Sequence, residues 1–95
     1  MTLVPFDIRE AIPIKEAAHL AGKSGGTIRL WCEEFGIGRR VGGGNWMVSK
    51  VALQMHLDGA RQALSLYRRG DRQSDSVVAY FERVGLLAVI NDRTD

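Results

Sequence analysis

The triplet Gly22-Lys23-Ser24 constrains this chain more than any other feature, because it sets a helix stop and a helix start almost side by side. Glycine ends helices by taking a left-handed conformation, and serine opens them by accepting a backbone N–H of the first turn. Before the triplet, Ile14, Ala17, Ala18 and Ala21 recur at spacings of three and four behind Pro13, a residue tolerated at a helix start. After it, Ile28, Trp31, Cys32 and Phe35 form one apolar stripe that ends at Gly36.

Two short helices so joined have the spacing of a helix-turn-helix, whose second helix enters the DNA major groove. The runs 37–41 and 45–48 then read as short strands joined by Gly42-Gly43-Gly44, a β-hairpin that would serve as a wing. Ser49 caps a third helix, and Leu53, Leu57, Ala60, Leu64 and Tyr67 form a stripe that either runs unbroken to Arg69 or is interrupted at Gly59. Residues 70–74 read as a turn, Val77, Tyr80 or Phe81, Val84 and Ala88 as a last helix interrupted or ended near Gly85, and residues 91–95 as a frayed end. The expected fold is mainly α with a small β-hairpin: an N-terminal arm over 1–12, a winged helix-turn-helix over 13–57 and a C-terminal helical extension over 58–95.

Ninety-five residues suit one domain, and a chain this short has little interior for a deep enzyme cleft. No metal-ligand cluster, nucleophile motif or phosphate-binding glycine loop is evident, so no enzyme, metal or cofactor is expected. Cys32 stands alone, which excludes an internal disulfide and a multi-thiolate site and favours an apolar position. The opening residues lack the basic start and apolar stretch of a secretory signal, and the apolar runs are short, so the expectation is a cytoplasmic protein with no membrane partner. The net charge of +2 says little, but residues 1–50 carry seven Lys or Arg against five acids, whereas residues 51–95 carry six against six.

The run 12–24 with Thr27-Ile28-Arg29-Leu30-Trp31, followed by Arg39-Arg40-Val41-Gly42-Gly43 and by Trp46 and residues 48–53, resembles the MerR-like and excisionase-like winged helix domains. The resemblance covers about 45 residues of the chain. It departs from the family at Gly25 and Gly26, where larger or basic residues are common, and at Pro13, where Thr or Ser is common. The long coiled-coil and effector domain of full MerR regulators is missing, so no small-molecule ligand is expected. Small proteins of this shape include excisionases, or recombination directionality factors, which bind and bend DNA so that an integrase excises a mobile element. They also include minimal MerR-like transcription regulators, and the DNA-binding part of some phage terminase small subunits is similar. The resemblance thus implies a bacterial or phage-encoded, nucleoid-associated protein whose partners are double-stranded DNA, further copies of itself and a tyrosine-recombinase integrase.

With Ile28, Trp31, Cys32 and Phe35 buried, the second helix offers Gly26, Arg29, Leu30 and Glu33 to the groove, and Arg29 is the best base reader. Thr27 either touches a thymine methyl or a phosphate, or serves as a cap. Ser24 and the first-turn amides form a phosphate site. Gly25 and Gly26 imply either a late helix start or close backbone approach to DNA. Arg39 and Arg40 are adjacent on a strand and point to opposite faces, so one of them reaches DNA with Asn45. Gly42, Gly43 and Gly44 either let the wing enter a narrow groove or form a plain turn. Lys15, Lys23 and Lys50 are backbone neutralisers or solvated charges. Arg61, Arg68, Arg69 and Arg72 could add a phosphate contact or line an exposed helix face. Leu64, Leu66, Tyr67, Val77, Val78, Tyr80, Phe81, Leu86 and Leu87 exceed what a 45-residue domain needs for cover, which implies that part of this face packs on the core and part contacts another copy or an integrase.

Overall fold

In the computed structural model, which describes residues 7–42 and 44–91, the chain is mainly helical with a small antiparallel sheet. The start of the expected arm, Gly43 of the expected wing and the expected frayed end after Asn91 lie outside those residues. The chain enters through a 3-10 turn, Ile8–Glu10, closed by a reciprocal cap: the Arg9 amide donates to Asp7 at 2.8 Å and the Asp7 amide to Glu10 at 3.2 Å.

At the end of the expected arm, β1 (Ala11–Pro13) adds a strand to the hairpin. It pairs antiparallel with β3 (Asn45–Ser49), which also pairs with β2 (Gly38–Val41), giving the order β1-β3-β2. Ile12 lies opposite Val48, and both are buried. Pro13 is admissible because β1 is an edge strand, and it precedes α1 (Ile14–Ala21) in extended conformation without a side-chain cap.

Gly22 ends α1 at φ 66° and Gly36 ends α2 (Gly25–Phe35) at the same angle, a conformation that costs glycine nothing. Ser49 caps α3 (Lys50–Leu57) by accepting from the Ala52 amide at 3.1 Å. The long stripe breaks where Gly59 takes φ +70°, and α4 (Arg61–Arg68) starts anew. The chain finishes with α5 (Asp75–Arg83) and α6 (Leu87–Asn91), so Asn91 is the last residue of a helix and not the first of a frayed end.

One core runs through the whole molecule. Ala17, Ile28, Cys32, Ile37, Val48, Val51 and Met55 are buried in the same cluster as Tyr67, Val77, Phe81 and Val89. The turn after Leu57 is therefore no boundary between cores. It also removes most of the apolar surplus expected beyond residue 57: Leu64, Tyr67, Val77 and Phe81 are buried, and Leu66, Val78, Tyr80 and Leu86 pack against them. Among the described residues, the large apolar side chains left exposed are instead Ile8, Leu20, Leu30, Phe35 and Leu57.

A polar thread ties the ends of this core together. The Tyr67 hydroxyl donates to the buried Glu10 carboxyl at 2.5 Å and lies 2.6 Å from the Ser49 hydroxyl, so the entry turn, the sheet and α4 share one buried hydrogen-bond chain. Burial, with Glu10 beside it, holds the Tyr67 phenol protonated far above its ordinary range.

The sheet meets α2 at Gly38, where a Cβ would lie 2.7 Å from both the Cys32 Sγ and the Met47 carbonyl oxygen. Neither neighbour can retreat, one being core and the other backbone. Gly38→Ala is expected to cost about 1 to 3 kcal/mol through overpacking, read as a lower urea midpoint at unchanged slope. A midpoint equal to that of the wild type would contradict this packing.

Candidate nucleic-acid interface

The face of α2 turned away from the core is the clearest candidate surface. Ile28 and Cys32 are fully buried and fix the rotation of the helix, which leaves Gly26, Arg29, Leu30, Glu33 and Glu34 exposed. The stripe is narrower than its sequence pattern: Trp31 is half-buried and Phe35 is 39 % exposed, both against the His56 ring at 4.5 Å between centroids. Trp46, by contrast, is a core residue.

At the start of α2, the Ser24 hydroxyl accepts from the Thr27 amide at 3.2 Å and lies 3.0 Å from the Thr27 hydroxyl. The capping role of Thr27 is therefore realised, and its methyl is the part without an internal hydrogen-bond duty. The helix begins at Gly25, so there is no late start. Gly25 has a packing reason, since a Cβ there would meet the Ile14 Cγ2 at 3.3 Å; Gly26 has none, with only the Ser24 Oγ at 3.9 Å. The first-turn amides have no acceptor within their own helix beyond this cap, which makes the end electropositive.

The register of the hairpin separates the two arginines. Gly38 faces Cys32 of α2, so Arg40, two residues on, emerges from that same face of the sheet, opposite Trp46. Its guanidinium lies over the Trp46 ring at 5.6 Å and remains exposed. Arg39 pairs with Met47 on the other face and is half-buried. Gly42 at φ +50° and Gly44 at φ +132° meet the needs of a tight turn and have open space around them, and Asn45 beyond them is exposed. Lys15 and Lys23 are exposed and Lys50 is half-exposed.

The second basic set divides differently. Arg61 and Arg69 are exposed, while the guanidinium of Arg68 packs over Gly36 at the C-terminal end of α2. Arg72, expected as a phosphate contact or a surface charge, is neither. It is 9 % exposed and donates to the Tyr67 and Asp71 carbonyl oxygens.

Several groups missed by sequence reasoning hold these elements in place. Asp58 accepts from Tyr80 at 2.8 Å, Arg83 at 2.6 Å and Gln54 at 3.0 Å, which joins the end of α3 to α5 and holds its carboxyl below the usual range, the Tyr80 bond most of all. The Asp7-x-x-Glu10 spacing was a readable cap signal, but nothing local announced that Glu10 is buried. Burial, and then Glu33, push the Cys32 thiol up to about 11, so it stays protonated at neutral pH. Among the described residues no group of three or more His, Cys, Asp or Glu could hold a metal ion, and no helix is long and apolar enough to cross a membrane.

His56, which supports α2 through Trp31 and Phe35, has its pKa lowered from 6.5 by burial. A lowered folded-state value means that its contribution is full above the ordinary pKa and is lost as pH falls through the folded one. Melting temperature is expected to fall between about pH 7.5 and about pH 5, and His56→Gln is expected to flatten that fall. Parallel pH profiles for the two proteins would contradict it.

Compared with protein-family models, curated proteins and solved structures, the chain matches none.

Proposed function

We propose that this chain binds double-stranded DNA as a winged helix-turn-helix protein, with α1 and α2 as the helix pair, the β2–β3 hairpin as the wing and α2 laid in the major groove. The observation that carries the reading is the outward face of α2. Gly26, Arg29 and Leu30 are exposed beside a Ser24-capped N-terminus, and Arg40 leaves the sheet from the side that packs on α2. In this reading Arg29 pairs with a guanine edge, while Leu30 and the Thr27 methyl lie against thymine methyls. Ser24 and the amides of Gly25 and Gly26 hold a phosphate. Arg40 and Asn45 track the adjacent groove, with Gly42, Gly43 and Gly44 keeping the tip slim and Arg39 bracing the hairpin from behind. Lys15, Lys23 and Lys50 neutralise flanking phosphates.

One arginine reader with a few phosphate contacts is a thin interface for a single copy, because specific sites ordinarily draw on several base contacts. We therefore infer cooperative binding to repeated sites with bending of the duplex. Together with the resemblance of residues 12–53 to excisionase-like domains, this favours a recombination directionality factor that assists an integrase. The test is a gel-shift titration on the flanking genomic DNA, combined with phased-bend probes. Cooperative filling of repeats beside an attachment core, with a phase-dependent shift, is expected. Noncooperative filling without a bend would contradict the excision role, and sites beside a promoter instead would favour the transcription regulator.

A further inference from the structure

Among the described residues, the turn between α4 and α5 carries a buried cation that forms no ion pair. Arg72 is 9 % exposed, and its guanidinium lies over the Tyr67 ring at 4.1 Å and 5.4 Å from the centre of the Phe81 ring. Its Nη1 donates to the carbonyl oxygens of Tyr67 at 2.9 Å and Asp71 at 2.7 Å. Its Nε is buried and makes no hydrogen bond. The Asp71 carboxylate is turned to its own loop, where it accepts from the Gln73 and Ser74 amides and the Ser74 hydroxyl. Among the described residues, no carboxylate forms an ion pair with Arg72. A guanidinium this far from water ordinarily has a counter-charge, since desolvating a lone cation is costly.

The Nε–H and outer Nη–H groups of arginine form the edge that takes both oxygens of a carboxylate in parallel. With Nη1 committed to the chain, that edge is the part of the guanidinium left without a hydrogen bond. Arg72 lines an open recess of about 620 Å³ between the end of α4, the turn and α6. Leu66 and Ile90 supply apolar wall, and exposed Arg69 a second cation. We propose that this recess binds a carboxylate that a polypeptide partner presents next to an apolar side chain. A recessed cation between apolar walls fits a projecting group of that kind. A DNA backbone fits it less well, because a duplex meets cations that stand proud of the surface.

The site does not depend on the DNA-binding reading and is tested apart from it. In 1H–15N spectra of the full chain, N-acetyl-leucine, with one carboxylate and one apolar side chain, is expected to move the Arg72 Nε–H and Gly70 amide resonances saturably. N-acetyl-leucinamide, which lacks the carboxylate, is expected to leave them in place. Arg72→Lys keeps the charge but loses the fork and is expected to weaken binding about tenfold, the loss of one charged hydrogen bond. Should that variant not fold, Arg69→Ala, outside the core, is expected to weaken binding as well. Resonances that ignore N-acetyl-leucine, or that follow the amide equally, would overturn the proposal. So would larger shifts with inorganic phosphate or a short duplex, which would make the recess a phosphate site.

Discussion

Tyr67→Ala is expected to leave the chain largely unfolded at room temperature. Truncating a fully buried aromatic ring costs about 3 to 5 kcal/mol through lost contact and the cavity left behind. The same change takes a hydrogen-bond partner from the buried Glu10 carboxyl and Ser49 hydroxyl, leaving them the Asp7 and Ala52 amides, at about 1 to 3 kcal/mol more. It also strips the aromatic floor from beneath Arg72. A domain of this size holds only about 5 to 15 kcal/mol in all, so the sum approaches the whole. Tyr67→Phe keeps the ring and loses only the hydroxyl, and its destabilisation is expected to be about 1 to 3 kcal/mol. Circular dichroism melts of the two variants separate packing from hydrogen bonding. A Tyr67→Ala protein melting within a few degrees of the wild type would mean that the thread from the entry turn to α4 does not hold the fold together.

How much of this architecture could be read from the chain follows from the range of the signals. Helix ends are written locally: Gly22, Ser24, Gly36 and Ser49 each act on the next turn of backbone, and each boundary falls where its residue implies. Strand β1 was not legible, because three residues are too few to show alternation and their partner lies beyond both helices. For the same reason nothing near Glu10 in the sequence marked its burial, since its hydrogen-bond partner is 57 residues away. The apolar residues after Leu57 were visible as apolar, but which neighbour covers them is a tertiary fact, and the neighbour is the chain's own core. At the candidate interface, the exposure of Arg29 followed from the stripe behind it. The choice between Arg39 and Arg40 needed the register of the hairpin, and the burial of Arg72 needed the aromatic rings that stack on it.

Arg29→Ala is expected to have the largest effect on function. The side chain is exposed on the outward face of α2 and takes no part in the core, so the variant is expected to melt like the wild type. A bidentate arginine–guanine contact gives about 1 to 3 kcal/mol of discrimination, which is about a fivefold to 150-fold loss of affinity for the cognate duplex. Binding to a scrambled duplex depends on phosphates and is expected to change little. Arg40→Ala is expected to do the reverse, lowering affinity for both duplexes alike and flattening the salt dependence by about one phosphate contact. Fluorescence anisotropy on a duplex selected from random sequence by the wild-type chain makes this comparison directly. Arg29→Ala is expected to lose cognate binding while keeping scrambled binding, and Arg40→Ala to lose both; a wild type that selects no sequence, or two variants that bind as it does, would contradict DNA reading by α2.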